Sequence, residues 1–320
     1  MMNNSAANET LESQTLLNQI VSDYLREQKN RRRWRWVKLI LILVALLVAL
    51  YLIFFDDNKS THTKAHVGLI DVNGTIFDAQ STSAENFAKG MDEAYDNSGL
   101  KALILRINSP GGSPVQADYM FNTIRYYRKK YPDVKIYAVC VDLCASAAYY
   151  VAAAADEIYA NPSSMIGSIG VLYNGFGFVD TIQKLGITRR LQTAGSNKGL
   201  LDPFLPVNPE QSKILQTMLD EIHQVFIARV KEGRGSRLKV DDLTFSGLFW
   251  TGQQAKERGL IDGFASSGQV ARELVKIDKL IDYTHKQSVL DRVAKNLGSA
   301  IADQLPLALG LKEGIRAQLS

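Results

Sequence analysis

Cysteine and histidine are scarce in this chain: two and four among 320 residues, with a formal net charge of only +4. Two cysteines exclude a disulfide framework, and Cys140 and Cys144 have no partners with metal-ligand spacing, so no metal site is expected. Their expected role is as small, buried apolar side chains; the alternative in an oxidising compartment is one bridge between them. The small net charge gives nucleic-acid binding no support. Of the histidines, His62 and His66 fall before the first strand, where a solvated pair is expected. His223 falls on a long amphipathic pattern as a surface or half-buried helix residue, and His285 lies in the tail. None stands where a serine triad would need its base, and no internal repeat is present.

The positive charge is concentrated in Lys29–Lys38, directly before the uncharged run Leu39–Phe55. As a helix that run would be roughly 25 Å long, close to the thickness of a bilayer core. It exceeds the core of a cleaved leader, and no small-x-small site follows it, so it reads as an uncleaved signal anchor in the lipid bilayer. Basic residues before it and Asp56-Asp57 after it predict a cytoplasmic N-terminus and a main domain outside the cytoplasmic membrane. The expected organisation is a basic segment 1–38, an anchor 39–55, a linker 56–66, one domain 67–280 and a tail 281–320. Leu16, Leu17, Ile20, Val21, Tyr24 and Leu25 recur at helical spacing within the first segment; a cytoplasmic amphipathic helix and a solvated tail both fit.

From Val67 the pattern alternates between strand and helix. Strands are predicted at Val67–Val72, Leu100–Ile107 and Lys135–Val141, and helices at Ser83–Tyr95, Ser113–Lys130 and Ala145–Ala155. Ser113-Pro114 and Asn208-Pro209 carry helix-start chemistry, an oxygen-bearing cap followed by proline. Further strands are expected at Glu157–Ala160, Ile166–Leu172, Arg190–Thr193 and Ile261–Phe264. The succession predicts an α/β fold with right-handed crossovers and a buried parallel sheet.

Two strand-to-helix turns carry candidate chemistry. Asn108-Ser109-Pro110-Gly111-Gly112 follows the second strand, and adjacent glycines leave amide N–H groups open to a ligand. Ser146 follows the third strand and opens a helix of small residues, so its hydroxyl could face a cleft as a nucleophile. Ligands gather at the carboxyl ends of strands in open sheets, which would place both turns at one cleft. The ordinary readings are a tight turn for the glycines and a helix cap for Ser146. With no histidine available, a base would have to be a lysine of lowered pKa. Lys198 sits in Thr193–Leu201 among small and apolar residues, although a loop lysine is ordinarily a solvated one.

Taken together, Asn108–Gly112, Cys144–Tyr150, Gly167–Val171, the Lys198 loop, Trp250–Ala255 and Gly259–Asp262 resemble the short form of the signal peptide peptidase A family. These are membrane-tethered serine proteases with a Clp protease or crotonase-like fold. The resemblance runs over about residues 67–275. It implies Ser146 as nucleophile, Lys198 as general base and Ser168 as the group that orients the lysine. It also implies an oxyanion hole of Gly112 and Ala147 N–H supported by Gly111, a substrate-pairing strand Ile169, Gly170, Val171 and Leu172, and no cofactor. Extended, apolar peptides such as remnant signal peptides become the expected substrates, and a homo-oligomer the expected assembly, with Lys198 offered within a chain or between chains. The chain departs from the family where Ala147 and Ala148 replace two glycines. A crotonase-like acyl-CoA enzyme and a non-catalytic membrane scaffold are the competing readings. The anchor argues against the first, the pairing of Ser146 with Lys198 against the second.

Overall fold

Alternating apolar side chains along three strands generate the sheet that organises the main unit. In a computed structural model that describes residues 26, 28–48, 51, 64–78 and 80–285, the chain divides into two units, Met1–Thr61 and His62–Ser320. In the first, residues 28–48 are helical. No helix among the described residues is long and apolar enough to cross a membrane, and the expected anchor Leu39–Phe55 and N-terminal amphipathic stretch lie partly or wholly outside those residues.

The second unit is built on an eight-stranded sheet whose main path runs β6 (Phe249–Thr251), β5 (Met165–Gly167), β3 (Lys135–Ala145), β2 (Leu100–Ser109), β1 (His66–Asn73) and β8 (Leu280–Asp282), with β4 (Glu157–Ala160) paired to β3 and β7 (Gly263–Phe264) paired to β4. β1 (His66–Asn73), β2 (Leu100–Ser109) and β3 (Lys135–Ala145) are parallel neighbours. Ile70, Val72, Leu103, Leu105, Ile107, Ile136, Ala138 and Cys140 point to the face covered by helices. Val67, Leu69, Ala102, Ile104, Tyr137 and Val139 point to the other, where Val270 and Ala271 cover them. That alternation follows from the two-residue period of a strand, and sheets buried on both faces read as nearly continuous apolar runs. On the first face lie α1 (Ala84–Tyr95), α2 (Pro114–Lys130), α3 (Ala147–Ala153) and the end of α5 (Pro209–Arg234). The start signals act as expected. Ser113 caps α2, with Pro114 in the first turn, and Asn208 accepts from the Glu210 and Gln211 amides to cap α5.

Several expectations are corrected. β3 does not stop at Val141: its register against β2 shifts between Ile107 and Ser109, Tyr137–Cys140 pair with β4 (Glu157–Ala160), and Leu143–Ala145 pair with β5 (Met165–Gly167). β5 is shorter than the predicted Ile166–Leu172, and the sheet is mixed because β5 runs antiparallel to β6 (Phe249–Thr251). Arg190–Thr193 is exposed and forms no strand. Leu280–Asp282, left unread in the sequence, forms β8 and pairs with β1. His66 is not solvated. It is buried, with Nδ1 donating to the Lys64 carbonyl and Nε2 accepting from the Tyr283 hydroxyl at 2.7 Å.

Candidate active site

Ser146 is held in a backbone conformation that side-chain-bearing residues rarely adopt, φ 54° and ψ −125°, at the junction of β3 and α3. Such geometry costs about 1–3 kcal/mol and persists where the surroundings over-determine it. Here they do. The Ser146 N–H donates to the Gly167 carbonyl at 2.8 Å, and its carbonyl accepts from the Tyr150 N–H at 3.0 Å. Every residue of α3 is buried, and Tyr149 donates to the Leu260 carbonyl at 2.7 Å. The Ser146 side chain makes no capping bond, so the helix-cap reading fails and the hydroxyl is left to the cleft.

The glycine loop lies against this turn. Gly111 has φ +100°, and a Cβ there would come within 2.8 Å of the Ser146 Cβ and 2.9 Å of the Ala147 nitrogen. Gly112, at φ +149°, passes so close to Ile76 that a Cβ would stand 2.2 Å from its carbonyl oxygen. The packing fixes this loop through Ile76 N–H to the Gly111 carbonyl at 2.9 Å and Ser113 N–H to the Ile76 carbonyl at 2.7 Å. Among the described residues, neither the Gly112 nor the Ala147 amide has a protein acceptor. Both residues line the cleft that holds Ser146, so the two N–H groups can face an oxyanion formed there. A methyl group at Gly111 would force the two turns apart. Gly111→Ala is therefore expected to lower kcat by roughly 10²–10³, measured on a peptide substrate, with a smaller change in KM.

Ala147 and Ala148, where the resembling family has glycines, are the first two residues of α3 and fully packed. Alanine suits that helical position and leaves the amide in place.

The cleft has a volume of ≈ 760 Å³ and brings together Ser146, Gly112, Ala147, Ser168, Gly170, Val171 and Leu172. Ile169 is fully buried beneath it. Ser168 takes a positive φ of 50°, held by its N–H donating to the Leu248 carbonyl at 2.8 Å. Beyond it the chain leaves the sheet, and residues 169–172, expected as a substrate-pairing strand, form no strand of their own. Lys198 is not in this cleft. It is exposed, on the segment between α4 (Val179–Lys184) and α5.

Sequence reasoning missed part of the wall. Tyr150, one turn after Ser146, donates from its hydroxyl to Asp118 Oδ1 at 2.8 Å, and its ring stacks on Phe226 at 4.9 Å. Burial, reinforced by the Asp118 carboxylate, pushes its phenol pKa up, so the hydroxyl stays protonated as a donor. Arg229 Nε donates to the same carboxylate oxygen at 3.0 Å. His223 also lines the cleft, with its Nε2 3.0 Å from the Ile169 carbonyl oxygen. A carbonyl can only accept, so Nε2 carries the proton and is not the atom that would take one from Ser146. The apolar spacing Ile222–Phe226 in the sequence gives the one available signal for this wall; His223 carries none.

The cysteines are free and buried. Burial, with Cys140 beside it, pushes the Cys144 thiol up and leaves it unreactive.

The profile of Peptidase family S49 matches residues 128–282, and that of Clp protease matches residues 75–167. A putative protease of Methanocaldococcus jannaschii is 30% identical over 223 residues, covering 70% of each chain. This chain belongs to peptidase family S49. Its mostly parallel sheet is of the Clp protease and crotonase-like kind. A putative signal peptide peptidase SppA of Enterococcus faecium, another relative, is 26% identical over 311 residues, covering 86% of this chain and 90% of that protein. A Brucella abortus protein described as Na(+)/H(+) antiporter NhaA is 42% identical over 206 residues; the match takes in 64% of this chain but only 28% of that much longer protein. The family is one of serine proteases, so a serine hydroxyl beside two amides that have no protein acceptor among the described residues is the chemistry expected of an S49 chain.

Proposed function

We propose that this S49 chain is an endopeptidase in which Ser146 attacks the scissile carbonyl and Lys198 is the general base. The observation that carries the reading is the strained, uncapped Ser146 with two free amides beside it in one cleft. Neutral Lys198 takes the hydroxyl proton, Gly112 and Ala147 N–H stabilise the oxyanion, and the leaving amine departs with that proton. Water then hydrolyses the acyl-enzyme with the same lysine as base. Ser168 holds the amine in place.

The substrate is an extended peptide added as a strand along the open edge Ile169–Leu172, its apolar side chains received by Tyr150, Phe226 and Phe249. With Leu39–Phe55 as a bilayer anchor and the N-terminus in the cytoplasm, the domain works outside the cytoplasmic membrane on apolar peptides such as spent signal peptides. No cofactor takes part.

Lys198 comes from a neighbouring protomer of a homo-oligomer. The segment that carries it exposes Leu185, Ile187 and Val207 at 68%, 55% and 85%, an apolar display that a partner copy would cover. The amphipathic stripe of α5 divides in the same way. Phe226 and Val230 are buried in the core, while Ile214, Met218 and Val225 are exposed.

Ser146→Ala and Lys198→Ala oligomers are each expected to be inactive, and activity is expected to return when the two are dissociated, mixed and reassembled. A mixture that stays inactive, with assembly verified by light scattering, would place the lysine within its own chain. Full activity of Lys198→Ala alone would remove it from the reaction.

A further inference from the structure

The edge along which a substrate strand would pair is fixed at one end and free at the other. Gly170 N–H donates to the Ser168 carbonyl at 2.9 Å. Among the described residues, no backbone amide from Val171 to Gly177 then donates to a backbone carbonyl; the next to do so is Phe178, to Pro203. At the boundary between these regimes stands the Ile169 carbonyl, held by His223 Nε2 at 3.0 Å. Among the described residues this is the one hydrogen bond between α5 and residues 167–172. It joins the helix wall, at His223, to the buried start of residues 169–172.

We propose that His223 is a positioning residue that sets the register of the bound peptide, by clamping the Ile169 carbonyl to α5 where the pairing edge begins. The proposal rests on the peptidase reading above. Strand pairing is specified along its length only as well as the edge is held, and a slip that keeps side chains on the same face is a slip of two residues. Ser146 is locked to Gly167 by the 2.8 Å bond from its N–H, so a clamp two residues further on ties the edge to the nucleophile. Both the neutral imidazole with its proton on Nε2 and the imidazolium donate from Nε2, so the clamp does not depend on a change of charge. The Ile169 carbonyl is held by His223 and the Gly170 N–H by Ser168, which leaves the Gly170 carbonyl, Val171 and Leu172 to receive the peptide backbone.

The test uses the assembled full-length chain and an extended apolar peptide, reading KM, kcat and the positions of cleavage by mass spectrometry. Glutamine keeps a donor at the reach of Nε2; leucine and asparagine do not, the first apolar and the second too short. His223→Leu and His223→Asn are expected to raise KM about tenfold, the scale of one lost hydrogen bond, with a smaller fall in kcat. Both should also add products cut two residues from the main site. His223→Gln is expected to restore most of the affinity and the single cut. Wild-type KM with a single cut in either His223→Leu or His223→Asn would overturn the proposal, and the second variant decides if the first does not fold. An equal collapse of kcat in all three variants with KM unmoved would overturn it too, by placing the imidazole in proton transfer. Ser146→Ala serves as the control: activity in that variant would sink the peptidase reading itself, whatever the histidine variants do.

Discussion

Ser146→Ala is expected to reduce peptide cleavage by roughly four to six orders of magnitude in kcat, the range seen when a serine nucleophile is removed and only binding and oxyanion stabilisation remain. The fold should survive, because the side chain makes no capping bond and the turn is held by backbone bonds to Gly167 and Tyr150. The conformation gives a second check. Glycine tolerates φ 54° and ψ −125° without the cost that Cβ imposes. Ser146→Gly should therefore be inactive yet more stable than Ser146→Ala, by about 1–3 kcal/mol in denaturant unfolding. Equal stability of the two variants would show that the turn stores no strain.

The largest stability effect is expected at Asp262. Its carboxylate receives both arms of the Arg234 guanidinium, at 2.8 and 2.9 Å, and the Ile158 N–H at 2.7 Å. The Arg234 side chain is fully buried. Asp262→Ala strands that charge and should cost about 3–5 kcal/mol, whereas replacing the pair by Arg234→Met with Asp262→Leu should cost less than either single change. Burial by itself would raise the Asp262 pKa, but the Arg234 fork, the Ile158 amide and Arg237 outweigh it and hold the carboxyl below its usual range. A depressed carboxylate pKa contributes stability that is complete above the unfolded-state value and is lost as pH falls through the folded one. The difference between wild type and Asp262→Ala should therefore shrink only in acid, below the ordinary carboxylate range. A loss under about 1 kcal/mol at neutral pH, on the scale of an exposed pair, would show that the pair is not desolvated. Function should follow stability here, because the pair fixes the end of the helix whose earlier turns wall the cleft.

Much of the fold was legible because local chemistry and global packing agree. The apolar alternation of Val67–Val72 and Leu100–Ile107 specifies strands, and Ser113-Pro114 and Asn208-Pro209 specify helix starts without help from the rest of the chain. The failures are tertiary. Leu280–Asp282 is too short to announce a strand and becomes one only beside β1. His66 reads as solvated until Tyr283, 217 residues away, closes over it. The apolar stripe of α5 could not show that only its later turns meet the core. At the cleft, Ser146 and the glycine loop converge as their positions at strand ends suggested, and Ser168, named only by the family resemblance, lines the same cleft. His223 is the half-buried helix residue that the sequence suggested, but its bond to the Ile169 carbonyl, 54 residues away, leaves no mark in the sequence. Lys198 is the residue that the fold of one chain does not bring to the others.

The most direct test of the account is labelling of the assembled protein with a fluorophosphonate, with the modified peptide located by mass spectrometry. The adduct is expected on Ser146, absent from Ser146→Ala and strongly reduced in Lys198→Ala. An adduct on another residue, or undiminished labelling of Ser146→Ala, would contradict it.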